Sequence, residues 1–191
     1  MPTINTWNRE KYIKAWKFAT KHHTGQKYGG SEPEEYIDYI NHIGMVCMEV
    51  IWALKHTNEK YDADLAIQCA ILHDTIEDTE ATFDDIKSLF GEKVANGVMA
   101  LSKNEQIQSK AQMMTDSLQR IKKQGKEVWM VKLADRISNL NAPPFYWDNN
   151  KKIKYLEEAK LIYNALHTAN VELAERLNEK ITNYSSFIQP G

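Results

Sequence analysis

The chain has 191 residues, of which 42% are apolar and 26% charged, with a formal net charge of −2 and a pI of about 6.3. That length suits one domain with a real core. The slightly acidic balance excludes a general polyanion-binding surface but leaves room for a local basic pocket that takes a small phosphate ligand. No apolar run is long enough to cross a bilayer, and the opening stretch MPTINTWNREKYIKAW carries charges and no apolar h-region. The expectation is a soluble, cytoplasmic chain without nucleic-acid or membrane partners.

Helical periodicity dominates, and the spacing predicts helices near 7–23, 33–56, 62–75, 83–89, 91–102, 107–124, 126–140, 151–167 and 170–184. Gly and Pro gather at 25–33 (GQKYGGSEP) and at 143–144. Ser31 is read as a cap, with Pro33 and Glu34 early in the helix it opens. Cys47 and Cys69 fall inside apolar helical patterns and read as small buried hydrophobes. In ATFDDIKSLFG, Thr82 caps, Asp84 and Asp85 favour the first turn, and Gly91 ends the helix. The last two helices repeat apolar residues at threes and fours, with Glu–Lys pairs on a solvated outer face. No β-alternating run is bounded by hairpin turns, and no repeat, linker or low-complexity segment is visible. The fold class is all-α: one compact bundle of about eight to ten helices, one domain over 1–191.

One stretch breaks the apolar logic. CAILHDTIEDTEAT enters on an apolar run and then places His73, Asp74, Glu77 and Asp78 where the pattern points inward. Adjacent His73 and Asp74 differ by about 100° on a helix, so both reach one point only off the helix end or between their directions. Buried unpaired acids are costly, and a divalent cation supplies the missing counter-charge. His42 in YIDYINHIGMV and Asp135 in VWMVKLADRISNL are polar residues in apolar helices. Two imidazoles and two carboxylates suit Mn, Fe, Zn or Co better than Ca or Mg.

The order His, His-Asp, Asp on helices resembles the HD-domain metal-dependent phosphohydrolases. YINH, AILHDTIEDT, FGEKVANGVMALSK and VKLADRISNL are similar to the hydrolase domain of RelA/SpoT-type enzymes, which remove pyrophosphate from the 3′ position of guanosine tetra- and pentaphosphate alarmones. The resemblance covers about residues 10–185, and the chain looks like a stand-alone small alarmone hydrolase. It implies His42, His73, Asp74 and Asp135 as ligands of a metal, typically Mn²⁺. It implies Glu77 and Asp78 as the pair that orients or activates the attacking water. Asn139 falls at a nucleotide-contacting position, and Lys103 and Lys110 where the family places cations.

Two departures stand out. HTGQ at 23–26 matches the family, but Tyr28 stands where an Arg is usual, and the segment to His42 is several residues longer. Tyr28 can stack on a base or cover the loop, and Lys27 can replace the lost charge, so base specificity stays open between guanine and adenine. The continuation NLNAPPFYWDNN also differs from larger relatives and offers Trp147 as a pocket wall or as helix-break packing. His42 is followed by Ile43 rather than Pro. The alternatives are a phosphohydrolase of another nucleotide (an adenine alarmone, an NADPH-like cofactor or a monophosphate) and a non-catalytic nucleotide sensor. The sequence leaves the oligomeric state open.

Overall fold

The computed structural model describes residues 5–189, and these are helical except for one small hairpin and the connecting loops. Asn8 opens α1 (Arg9–His22) by accepting from the backbone N–H groups of Glu10 and Lys11. The helix expected over 33–56 is shorter than predicted. Residues 27–38 form an antiparallel pair, β1 (Lys27–Gly29) and β2 (Tyr36–Asp38), in the register Lys27↔Asp38, Tyr28↔Ile37, Gly29↔Tyr36. Ser31 and Pro33 therefore lie in the hairpin loop and open no helix. Glu34 takes a positive φ of 63° there, a conformation no helix contains. The hairpin was invisible because its strands are three residues each, too short to show alternation.

The helix α2 (Ile40–Lys55) follows and packs on α3 (Ala63–Leu72) and α8 (Lys126–Asn139). The helix expected over 62–75 also ends early: α3 stops at Leu72, and the four-residue α4 (Thr75–Asp78) follows. Every residue of α3 except Asp64 and Leu65 is buried, so this helix is the centre of the core. Next come α5 (Phe83–Phe90) and α6 (Glu92–Leu101). Thr82 and Asp85 form a reciprocal capping box at the start of α5, and Gly91 ends it at φ 91°. Then α7 (Lys110–Lys122), α8, α9 (Asn149–Leu166) and α10 (Val171–Tyr184) complete the bundle: α8 packs on α3, and α7, α9 and α10 pack on α8. Cys47 and Cys69 are free and buried. No helix among the described residues is long and apolar enough to cross a membrane.

Close packing of α3 on α6 depends on one glycine. A Cβ at Gly97 would sit 2.7 Å from Cys69 Sγ and 3.0 Å from Val128 Cγ2. Gly97→Ala is expected to cost about 1–3 kcal/mol through overpacking. Urea denaturation would read this as a lower midpoint at unchanged slope; an unchanged midpoint would mean that α3 and α6 part without cost.

Candidate metal centre and nucleotide cavities

The break between α3 and α4 positions the centre. His73 and Asp74 occupy that break, so both side chains leave the helix end towards one point instead of splaying round a continuous helix. Opposite them, α2 presents His42 and α8 presents Asp135. The two Nε2 atoms of His42 and His73 are 3.3 Å apart. Asp74 Oδ2 lies 2.9 Å from His73 Nε2 and 3.6 Å from His42 Nε2, and Asp135 Oδ1 lies 3.5 Å from His42 Nε2. One ligand atom from each of His42, His73 and Asp135 fits within 4.8 Å of the others, and all three residues are buried.

Surrounding groups fix the donors. His73 Nδ1 is 2.9 Å from the Ala70 carbonyl, which can only accept, so Nδ1 carries the proton and Nε2 faces the centre. His42 Nδ1 lies 3.3 Å from Ser138 Oγ. Tyr39 Oη donates to Asp74 Oδ2 at 2.5 Å, and Asn139 Nδ2 donates to Asp135 Oδ1 at 2.6 Å. Lys132 Nζ holds the other Asp135 oxygen at 2.8 Å. His23 of the HTGQ stretch is buried and stacks on the Tyr39 ring with centroids 5.0 Å apart, so that motif supports the centre through Tyr39.

Electrostatics decide what this cluster needs. Burial works against a charge on His73, yet the Asp74 and Asp135 carboxylates outweigh it and raise the imidazole to about 9. Burial likewise opposes ionisation of Asp74, but His73 and His42 hold it well below the usual carboxylate range. Asp135 falls to about 2 against its burial, through Lys132 and then His73. Burial and then Asp74 push the Tyr39 phenol far up, so it remains a donor. The His42 and His73 nitrogens and an Asp135 oxygen form the mutually close set, and Asp74 stands beside both imidazoles without joining it; such a gathering of donors favours a positive centre between them. A divalent metal fits that mixed nitrogen and oxygen donor set.

Glu77 and Asp78 lie one turn beyond. The Glu77 carboxylate is occupied on both oxygens: it accepts from the Lys103 backbone N–H at 2.8 Å and from Lys103 Nζ. Asp78 has no such clamp; burial and then Asp74 raise its carboxyl. Burial disfavours the Lys103 ammonium, but Glu77 overrides it and raises that group.

Two cavities adjoin the centre. One, of about 260 Å³, is walled by Tyr28, Tyr39, His42, Asn139, Tyr146 and Trp147, among others. The other, of about 760 Å³, brings together Lys103, Lys110, Lys132, Lys151 and Lys154, with Asp148 and Glu158 the acids on its wall. Trp147 and Tyr155 border both. Tyr28, Asn139, Lys103 and Lys110 thus stand where nucleotide contacts are expected. Lys27 does not: it points to Asp38, 3.8 Å away, and borders neither cavity. Sequence reading missed Tyr39, Lys132, Ser138, Tyr146, Tyr155 and Lys154. Lys132 and Ser138 had a signal, since they stand three residues either side of Asp135 on one helix. Tyr146 and Tyr155 had none, because only folding sets them beside Tyr28.

An all-α bundle that gathers two histidines and two aspartates at a broken helix has the architecture of a metal-dependent hydrolase. The family model described as HD domain matches residues 15–177, and the chain belongs to that family. A zebrafish (Danio rerio) relative, named guanosine-3′,5′-bis(diphosphate) 3′-pyrophosphohydrolase MESH1, is 31% identical over 87% of this chain and 90% of its own. An Aquifex aeolicus protein with the same enzymatic name is 32% identical over 82% of this chain but only 21% of its own length. A solved structure described as a metazoan ortholog of SpoT that hydrolyses ppGpp superposes with a TM-score of 0.79. It is 24% identical and covers 96% of this chain and 99% of that one, a likeness of fold.

Proposed function

We propose that the chain is a metal-dependent 3′-pyrophosphohydrolase of guanosine tetra- and pentaphosphate-type alarmones. Residues 1–191 are read as one HD phosphohydrolase domain, acting on a small nucleotide in the cytoplasm. The observation that carries this is the union of a His42–His73–Asp74–Asp135 donor cluster with a lysine-lined cavity on one side and an aromatic one on the other. The relatives' printed names supply the substrate class.

Those four residues would hold the metal, with Mn²⁺ the preferred ion. When bound, the ion supplies charge neutralisation at a phosphate oxygen and lowers the pKa of water. The residues do the rest. Asp78, unclamped and with a raised carboxyl, takes the proton of the attacking water. Glu77 keeps Lys103 in place at the phosphate side. Lys110 and Lys154 neutralise further phosphate oxygens. Tyr28, Tyr146 and Trp147 stack on the base, while Asn139 steadies Asp135 beside it. Water's oxygen ends on pyrophosphate, the bond from the 3′ oxygen to phosphorus breaks, and that oxygen gains a proton.

A second reading, an adenine 3′-diphosphate nucleotide, is favoured by one observation: among the described residues the aromatic cavity is lined by no arginine or carboxylate, so nothing charged selects guanine. A panel of nucleotides with Mn²⁺ tests both. Pyrophosphate release from 3′-diphosphates is expected, with guanine and adenine forms within about tenfold in kcat/KM, a difference of roughly 1.4 kcal/mol. Phosphate release from monophosphates alone would remove the alarmone reading.

A further inference from the structure

We infer that Arg136 is a positioning residue for the nucleotide, acting through the ring of Tyr155. This deepens the proposed hydrolase and rests on that reading. Arg136 follows the metal-side Asp135 on α8, about 100° further round, and so faces a different flank, where it meets Tyr155 and Glu158 of α9. It is only 5% exposed and borders neither cavity itself. Its guanidinium carbon stands 4.2 Å from the centroid of the Tyr155 ring, within the range of a cation held on an aromatic face. Its polar contact is Nη2 to Glu158 Oε2 at a long 3.5 Å, and Nε and Nη1 have no hydrogen-bond partner among the described residues. Hydrogen bonding therefore explains little of this buried cation, and the ring contact is what remains.

Tyr155 is the wall shared by the lysine cavity and the aromatic one. The ring also meets Trp147 edge-on, with centroids 5.0 Å apart and planes at 73°, and Tyr184 at a tilt, with centroids 6.2 Å apart. The ring is thus held by contacts with Arg136, Trp147 and Tyr184. Glu158, one turn along α9 from Tyr155, tethers the guanidinium to the same helix. A nucleotide with its base among Tyr28, Tyr39 and Tyr146 and its phosphates among the lysines must cross this partition. Tilting the ring would close one side and widen the other. Arg136 fixes the angle, and so sets how well substrate is held and not how fast the bond breaks.

Steady-state kinetics of the Mn²⁺-loaded 191-residue chain on guanosine 3′,5′-bis(diphosphate) test this. Arg136→Met keeps length and apolar bulk but removes the cation; KM is expected to rise about tenfold with kcat changed less than threefold. Arg136→Lys, which keeps a cation, is expected to recover at least half of that rise on a logarithmic scale. A KM within threefold of wild type, or a fall in kcat larger than the rise in KM, overturns the inference even if the melting temperature drops. Should Arg136→Met not fold, Tyr155→Leu and Tyr155→Phe decide: a KM at least fivefold higher for Leu than for Phe supports the partition, and equal values overturn it. A wild type that turns over no 3′-diphosphate removes the functional reading and this inference together. An active wild type with an unmoved Arg136→Met removes the inference alone.

Discussion

Asp135→Ala is expected to lower kcat/KM by about 10³-fold or more, roughly 4 kcal/mol of transition-state stabilisation, and to lower metal occupancy with it. The substitution removes a donor oxygen 3.5 Å from His42 Nε2 and also strips Lys132 and Asn139 of the carboxylate they share. Lys132, whose side chain is only 13% exposed, is then left without its carboxylate partner. Elemental analysis alongside turnover gives the check: full metal content with lost activity would show that Asp135 serves elsewhere than in the donor set. The same centre predicts a pH effect of fixed sign. In the metal-free protein the His73 imidazole is raised to about 9, so at neutral pH it is protonated, and a metal must displace that proton. Metal affinity should therefore rise with pH up to about 9 and one proton should leave on binding. Calorimetry in buffers of different ionisation enthalpy would read it; binding indifferent to pH would contradict the placement of His73.

Asp78→Asn is expected to cost about 10²–10⁴-fold in kcat, the usual worth of a positioned base. A base must be ionised, and burial and then Asp74 raise this carboxyl above its ordinary value. Activity should thus fall as pH drops through that raised value, at a higher pH than an ordinary aspartate near about 3.9 would give. The acid limb of the kcat profile should disappear in the variant. Glu77→Gln should behave differently: its carboxylate is already bound to Lys103, so the limb should persist while substrate affinity weakens. Loss of the limb in Glu77→Gln and not in Asp78→Asn would exchange the two roles.

The donor cluster was legible in sequence because each member is a polar residue in an apolar frame, and burial makes such residues conspicuous. The helices were legible for the same periodic reason, and α5 to α10 end within three residues of expectation. What escaped has a physical cause. The start of the helical reading of 33–56 rested on Ser31, Pro33 and Glu34, but those residues cap nothing once the chain turns back between Gly29 and Tyr36 in a hairpin. The break after Leu72 is silent in a pattern whose apolar residues continue to its edge. It is nevertheless what lets His73 and Asp74 converge. The shell of Tyr39, Tyr146 and Tyr155 is silent for a different reason: each is an ordinary aromatic until tertiary packing sets it beside the others.

The five lysines of the larger cavity acquire a meaning when set against a chain whose formal net charge is −2. Seen from a distance, a chain of that charge weakly repels a polyphosphate, while the lysines of this cavity attract it at close range. Such a dipolar surface turns an approaching anion before contact, so that phosphates lead and base follows. Orientation is then partly settled during diffusion, and the protein's appetite for substrate should fade as salt shortens the reach of that field.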